Sequence, residues 1–308
     1  MIDLASSATS PSGQATGRSL LRAYAVRVRV AWLMLDGIGL MPTHAASPLQ
    51  GDLPTLERLG IARVNTQTRA DWVTHPIDAR LGVEGLPQSG TGQTTILTGV
   101  NAAAAMGRHY GPWVSPSLKP ILEHNVLKRV ADAGGTVRLA NYYPPQYLEA
   151  LQSGKTRLNA IATAALSAGA RLEGREGLGI APMLHDPNGS ANLERVSAWA
   201  KDFVTSSATV TIFDQWWSDS VGHEMNLSEG QAFAQRLEVF CAAALEARAV
   251  DTLFLVTSDH GNFEDLSVKT HTFSPVPLAA VGIGALEFAA VTDLTGIAPT
   301  LARVLTLK

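Results

Sequence analysis

An apolar stretch near the C-terminus ends abruptly in a carboxylate and an imidazole. Residues 253–258 have the sequence LFLVTS, and Asp259, His260 and Gly261 follow directly. Apolar runs of this length between helical patterns are typical of buried parallel strands, and Gly261 leaves the backbone free to bend. A carboxylate beside an imidazole suits a divalent metal such as zinc or manganese. A strand that runs into an ordinary polar loop would give the same pattern.

A second carboxylate follows another apolar, β-rich run. Asp36 comes directly after residues 27–35, RVRVAWLML, and is followed by glycines. Because ligands bind beyond the carboxyl ends of strands in open parallel sheets, we expect Asp36 at the same sheet edge as Asp259. A turn aspartate before glycine is the ordinary alternative.

Two further segments offer metal ligands. Asp219 and His223 follow a strand predicted at 208–213, and their spacing puts both on one face of a helix. Asp214 is a competing carboxylate at the end of that strand. His271 lies in a turn-rich loop, where a lone histidine is usually only solvated. Three aspartates and three histidines exceed the four ligands that one metal needs, so the set suits two metals that share a site.

A glycine-rich stretch at 85–99, GLPQSGTGQTTILTG, places hydroxyls near the predicted start of a helix. Backbone N–H groups and the helix dipole favour an anion there, which suits a nucleophilic alkoxide or a bound phosphate. A plain helix cap beside a solvent loop is the alternative. Composition does not choose among the hydroxyls of Ser89, Thr91, Thr94, Thr95 and Thr98.

The alternation of strand and helix patterns predicts an α/β fold, with a mostly parallel sheet and helices on both faces. Of the 308 residues, 46% are hydrophobic and the net charge is -3, which indicates a substantial core and no nucleic-acid partner. No apolar run is long enough to predict a membrane span. The one cysteine, Cys241, is expected to be a small buried residue.

Residues 1–26 are rich in Ser, Ala, Thr and Gly, so we expect a flexible leader and a cytoplasmic protein. Residues 27–308 are expected to form the core, with a small insertion or cap around 144–195. Other predicted elements are a helix at 118–133, a strand at 136–143, a helix at 156–168 and a loop at 269–277.

The motifs together resemble the alkaline phosphatase superfamily, and within it the catalytic core of cofactor-independent phosphoglycerate mutase. The segments that carry the resemblance keep the family's order: LMLDGIG (33–39), GLPQSGTGQT (85–94), DSVGH (219–223), TSDHGNFED (257–265), HTFSPVPL (271–278) and DLTGIAPTLARVL (293–305). The resemblance implies a three-layer core, two divalent metal ions, zinc or manganese, and a small phosphorylated substrate.

The resemblance also implies roles for single residues. One metal would be held by Asp219, His223 and His271, and the other by Asp36, Asp259 and His260. Thr94 stands where the mutases have a nucleophilic serine, so it would join the metals and form a phosphothreonine. Gln93 stands where the mutases have an asparagine that helps to position the phosphate.

The chain departs from the mutases in its much shorter insertion, where substrate identity normally lies. Arg108, His109, Lys155 and Arg157 can bind an anionic substrate or serve only as surface charges. The sulfatase signature C/S-x-P-x-R is absent at 94–98, which argues against an arylsulfatase. The leading expectation is a two-metal phosphoesterase. The alternatives are a phosphomutase, a phosphodiesterase, and a metal-stabilised binding protein that has lost catalysis.

Overall fold

The computed structural model describes residues 28–42, 44–175, 178–185 and 192–307. The predicted leader at 1–26 lies outside these ranges. Within them, strands form one sheet in the order β2-β3-β7-β6-β1-β5-β4. The strands are β1 Arg29–Leu35, β2 Gln67–Arg69, β3 Trp72–Ile77, β4 Val137–Leu139, β5 Val210–Gln215, β6 Thr252–Ser258 and β7 Val276–Val281.

The sheet is mostly parallel, as predicted. Strand β1 lies between β5 and β6 and pairs in parallel with both, and β4 extends the sheet in parallel beyond β5. Strand β7 is antiparallel to both β6 and β3, and β2 is antiparallel to β3. The carboxyl ends of β1, β5 and β6 therefore meet at one edge, to which the start of β7 also returns.

Helices cover both faces of the sheet, which gives three layers. They are α1 Pro54–Arg58, α2 Ser89–Thr98, α3 Ala102–Met106, α4 Lys119–Leu122, α5 Val126–Asp132, α6 Pro145–Gln152, α7 Ala160–Ser167, α8 Leu193–Thr205, α9 Trp217–Glu224, α10 Leu227–Ala247 and α11 Ile297–Val304. Short 3₁₀ turns lie at Ala285–Ala290 and Leu294–Gly296. None of the helices in the described ranges combines the length and the apolar character that a membrane crossing requires.

Strand β1 shows why helices cover both faces of the sheet. In β1, Trp32 and Met34 point into one hydrophobic core, which they share with α2, α5, α7 and α11. Their neighbours Leu33 and Leu35 point into a second core, which they share with α8 and α10. Side chains alternate across a strand, so a run that is apolar at every position must be covered on both faces. Cys241 is fully buried in the second core, as predicted.

The predicted helix at 118–133 is wrong as a single element. It is divided into α4 and α5, because Asn125 adopts an extended backbone and its side chain accepts a hydrogen bond from the Lys128 N–H. An asparagine that caps a new helix in this way ends the preceding one. The helical periodicity on either side was therefore correct, but it did not reveal the break.

Two other boundaries differ from prediction. The strand predicted at 136–143 contracts to the three residues of β4, after which Asn141 and Tyr142 make only isolated bridges. The loop predicted at 269–277 gives way to strand β7 at Val276. Pro277 is accommodated there even though it has no backbone N–H to donate.

The segment predicted as a cap has two parts. Helix α6 has no buried residue, whereas α7 is buried at five of its eight positions and packs in the first core. Asn159 caps α7 by accepting a hydrogen bond from the Ala162 N–H. The cap at 144–195 stays a prediction, and α6 packs only the partly buried side chains of Tyr147 and Leu148 against the first core.

Candidate metal centre

The predicted ligands meet at the carboxyl edge of the sheet. Asp36 and Asp259 directly follow β1 and β6. Helix α9 begins soon after β5 and carries Asp219 and His223 one turn apart. His271 arrives from the loop before β7. The parallel arrangement thus explains how residues from both ends of the chain reach one place.

The first set consists of Asp219, His223 and His271. His223 Nε2 lies 3.3 Å from Asp219 Oδ2, and His271 Nε2 lies 3.4 Å from Asp219 Oδ1. The two Nε2 atoms are 3.2 Å apart. Ligands about 2.0–2.1 Å from a tetrahedral zinc ion lie about 3.3 Å from one another, so these separations fit a single cation.

The orientation of the two imidazoles supports the same interpretation. Nδ1 of His271 lies 2.7 Å from the Pro87 carbonyl, and Nδ1 of His223 lies 2.9 Å from the Lys269 carbonyl. A proton on Nδ1 donates to each carbonyl and leaves the Nε2 lone pair facing inward. Backbone carbonyls fix metal-binding histidines in this manner.

The second set consists of Asp36, Asp259 and His260, all buried. His260 Nε2 lies 3.2 Å from Asp36 Oδ1 and 3.7 Å from Asp259 Oδ2. Asp36 Oδ1 nevertheless has no hydrogen-bond partner. The imidazole of His260 stacks on that of His271, with 3.8 Å between ring centroids, so the two sets are neighbours.

Burial and neighbouring charges shift the pKa values of the aspartates in and beside this cluster. Burial, followed by the charges of Asp259, Asp219 and Asp214, raises the pKa of Asp36 well above its usual range. Burial also raises the pKa of Asp214 to about 7, although a hydrogen bond from Asn159 opposes the rise. Burial pushes the pKa of Asp219 upward as well, but its bonds to His223 and His271 outweigh this and lower it. Mixed carboxylate and imidazole donors under these conditions fit two divalent cations.

Ser89 is the hydroxyl that faces both sets. It is the first residue of α2, and its Oγ lies within hydrogen-bond distance of His260 Nε2, at 3.0 Å. The other four hydroxyls bond to backbone carbonyls instead. Thr91 bonds to the Gln88 carbonyl, and Thr94, Thr95 and Thr98 bond to the carbonyls of Gly90, Thr91 and Thr94.

The geometry therefore favours Ser89 over Thr94 as the reactive hydroxyl. Thr94 lies in the second turn of α2, and its Oγ1 donates to the Gly90 carbonyl at 2.6 Å, within its own helix. The pattern of residues 85–99 predicted a helix only in the second half of this stretch, whereas α2 already begins at Ser89.

The residues expected to bind substrate are distributed unevenly. The Gln93 amide donates to Asp36 Oδ2 at 3.0 Å and to Asp259 Oδ2 at 3.1 Å, at the centre of the second set. Arg108, Lys155 and Arg157 are exposed, and none of them borders the cavity beside the cluster. His109 is half-buried outside that cavity, and burial lowers its pKa.

Two residues that support the cluster were not predicted as site residues. Asn262 donates from Nδ2 to Asp219 Oδ1 at 2.7 Å. Glu264 is buried and accepts hydrogen bonds from the backbone N–H groups of Gly39 and Asn262 and from the Thr272 hydroxyl. It ties the loop after β1 to the loop after β6. Both residues lie within the motif at 257–265, but only the folded contacts reveal their roles.

Comparison with known proteins relates the C-terminal part of the chain to a protein family. Residues 187–308 match the model of the Metalloenzyme superfamily. This segment includes Asp219, His223, Asp259, His260 and His271. The sequence has no significant match among curated proteins.

Solved structures show the same fold at low sequence identity. The PH0037 protein from Pyrococcus horikoshii aligns with a TM-score of 0.57 and 13% identity, over 92% of this chain and 98% of that chain. An alkaline phosphatase from a Shewanella species aligns with a TM-score of 0.53 and 15% identity, over 89% and 99%. The alkaline phosphatase of the Antarctic bacterium TAB5 aligns with a TM-score of 0.51 and 14% identity, over 91% and 98%.

The chain has an α/β fold, and residues 187–308, less than half of its length, resemble the Metalloenzyme superfamily. As a whole, the fold is similar to the folds of these alkaline phosphatases.

Proposed function

We propose that this protein is a two-metal phosphoesterase that acts on a small phosphorylated metabolite through a covalent phosphoserine at Ser89. One divalent ion, zinc or manganese, would be held by Asp219, His223 and His271, and the other by Asp36, Asp259, His260 and the Ser89 oxygen. A cytoplasmic location, and the lack of a nucleic-acid or membrane partner, are parts of the same proposal.

The observation that carries the proposal is the position of Ser89. Its Oγ lies 3.0 Å from His260 Nε2, and His260 in turn stacks on His271 of the other set. The hydroxyl therefore lies where the two ligand sets meet. As the first residue of α2 it is also beside backbone N–H groups, which favour negative charge on the oxygen.

The residues account for a two-step displacement. Ser89 Oγ gives up its proton to solvent and attacks phosphorus, the phosphoserine bond forms, and the bond to the leaving oxygen breaks. A proton then reaches the departing alkoxide. Water attacks the phosphoserine, which restores Ser89 and releases inorganic phosphate. When bound, divalent ions at the two sets would supply Lewis-acid stabilisation of the attacking and leaving oxygens.

The experiment compares Ser89→Ala with Thr94→Val, each reconstituted separately with zinc and with manganese. The substrates are an aryl phosphate monoester and the matching diester. We expect Ser89→Ala to lower kcat by at least about a thousandfold, because the nucleophile is removed. Thr94→Val loses one hydrogen bond within a helix and should keep kcat within about threefold.

A trapped intermediate identifies the hydroxyl independently of rates. Acid quenching during turnover, followed by peptide mass spectrometry, should find one phosphoryl group on Ser89. Phosphate on Thr94, or full turnover in Ser89→Ala, would refute the assignment.

The same assay separates the alternatives. Faster turnover of the diester would indicate a phosphodiesterase. A phosphomutase would transfer the group between hydroxyls of its substrate and release little phosphate, and it would need a closed, water-excluding lid. Bound metals without any covalent intermediate would support the metal-stabilised binding protein. The hydrogen bond from Thr94 to the Gly90 carbonyl, within its own helix, favours this alternative.

A further inference from the structure

A cavity of about 310 Å³ opens beside the candidate metal centre. Its lining includes Ser89, Asp36 and Asp219, so a substrate whose phosphoryl group lies at Ser89 would extend its leaving group into this space. Its lining also includes residues from the segment after β4 and from the start of α7. The cavity is therefore the place where the non-phosphate part of a substrate would lie.

Aromatic side chains dominate the walls of this cavity. Two of them, Trp113 and Trp216, each expose 37% of their surface, although tryptophan is highly buried on average. Aromatic faces stack well on flat or ring-shaped groups. The aromatic residues that line the cavity are Trp113, Tyr142, Tyr143, Tyr147 and Trp216.

The charged residues that line the cavity are acidic. Among the described residues that line the cavity there is no Lys or Arg, and the ionisable acids are Asp36, Asp214 and Asp219. Two divalent ions would be balanced by the ligand carboxylates and the phosphoryl group itself. A second anionic group on the substrate would meet aromatic rings and Asp214 without a counter-charge, which is costly.

Asp214 adds a hydrogen-bonding requirement. Its side chain is 1% exposed, and its Oδ2 is occupied by the Asn159 Nδ2 donor at 2.6 Å. Its Oδ1 is buried without a hydrogen-bond partner, while the residue lines the cavity. The Asn141 side chain fixes the Asp214 backbone: its Nδ2 donates to the Asp214 carbonyl at 2.7 Å, and its Oδ1 accepts from the Asp214 N–H at 2.9 Å. A fixed, unused acceptor of this kind suits a donor group on a ligand.

We propose that this cavity selects phosphomonoesters whose leaving group is a ring that bears a hydrogen-bond donor and no second anionic group. The rings of Trp113 and Trp216 flank the leaving group, and Asp214 Oδ1 accepts its hydroxyl or amino hydrogen. This inference rests on the proposed function, because it assigns the leaving group of the same reaction. It excludes phosphoglycerate and other substrates with a second acid.

The test uses a matched series of esters with the metal-loaded enzyme. The probes are phenyl phosphate, 4-(hydroxymethyl)phenyl phosphate, 4-carboxyphenyl phosphate and ethyl phosphate. We expect kcat/KM to be highest for the hydroxymethyl ester and at least about tenfold lower for the carboxy ester. Equal values for the carboxy and hydroxymethyl esters would overturn the proposal.

Variants separate the pocket from the intrinsic reactivity of each ester, because that reactivity cancels in ratios between variant and wild type. Trp216→Ala should lower kcat/KM for phenyl phosphate by about tenfold relative to ethyl phosphate, while Trp216→Phe keeps a ring and most of the preference. Asp214→Asn should remove the advantage of the hydroxymethyl ester over phenyl phosphate. Loss of a bound metal from Asp214→Asn, measured by elemental analysis, would instead make Asp214 a ligand and overturn its role here.

A binding measurement distinguishes failure of this inference from failure of the proposed function. Benzylphosphonate and ethylphosphonate cannot be hydrolysed at the P–C bond, so their binding, read as quenching of tryptophan fluorescence, requires no turnover. Tighter binding of benzylphosphonate by about tenfold supports the ring pocket even if no ester is hydrolysed. Equal binding of both, in an enzyme that hydrolyses phosphate esters, would overturn the pocket and leave the proposed function intact.

Discussion

At the scale of single residues, Gln93 joins two carboxylates of the second ligand set. Its amide nitrogen donates to Asp36 and to Asp259, both buried. Two buried carboxylates so close to each other disfavour ionisation of both. One neutral amide cannot replace a cation, and the raised pKa of Asp36 and its unpaired Oδ1 reflect this. The residues are thus arranged for a charge that the protein does not itself supply.

Asp214 leads to a prediction about pH. In the folded protein its pKa is raised from 3.8 to about 7, mainly by burial. Between those values the folded state binds more protons at Asp214 than the unfolded chain does, so stability should fall as the pH rises through this window. The Asp214 contribution to this fall in the metal-free protein is about 4 kcal/mol at most.

Asp214→Asn removes this titration and isolates it from other groups. The difference in free energy of unfolding between wild type and Asp214→Asn should shift in favour of the variant as the pH rises from 4 to about 7. Urea unfolding in a chelator at several pH values measures it. A difference that does not change with pH would show that Asp214 is ionised throughout.

At the scale of secondary-structure elements, helix α9 depends on the loop after β6. Asp219 and His223 share one face of α9, and Asn262 fixes Asp219 by a 2.7 Å hydrogen bond. Gly222 gives Asn262 the room it needs, since a methyl group on Gly222 would lie 2.5 Å from Asn262 Cγ. The glycine therefore serves a close approach within a helix, and not a special backbone angle.

Gly222→Ala should consequently reverse the usual effect of replacing glycine in a helix. Alanine is ordinarily favoured there by about 1 kcal/mol, but here overpacking should destabilise the protein by about 1–3 kcal/mol. Displacement of Asn262 from Asp219 should also weaken metal binding by about 10–100-fold. Urea unfolding and metal titration measure the two effects.

A double-mutant cycle with Asn262→Ala provides the control. If the collision with Asn262 is the cause, Gly222→Ala should cost much less stability in the Asn262→Ala background. Additive effects would place the cause elsewhere in α9.

The strand ends were predictable from sequence, whereas the start of helix α2 was not. Asp36 and Asp259 follow runs that are apolar at every position, a pattern that only a strand covered on both faces explains. In α2, five hydroxyls at close spacing offer several starting points, and the contact between Ser89 and His260 joins residues 171 positions apart. The cavity was equally hidden, because Trp113, Tyr147 and Trp216 become neighbours only in the folded chain.

At the scale of the whole molecule, the candidate metal centre connects the two ends of the chain. Its residues extend from Asp36 to His271, and they depend on the pairing of β1 with β5 and β6. The unfolded chain cannot assemble such a site, so any metal that binds it must stabilise the fold. Net charge is only -3, so general repulsion is not what the metal would relieve.

Removal of the metal should therefore destabilise the entire protein. A metal at about one hundred times its Kd should add about 2.7 kcal/mol for each site. Chelation should lower Tm and speed hydrogen exchange, most strongly in residues 214–224 and 259–271. Asp36→Asn combined with His271→Ala should show no Tm shift with metal, whereas Thr94→Val should keep it. An unchanged Tm after complete removal of metal, verified by elemental analysis, would mean that the cluster does not hold a metal ion in the folded protein.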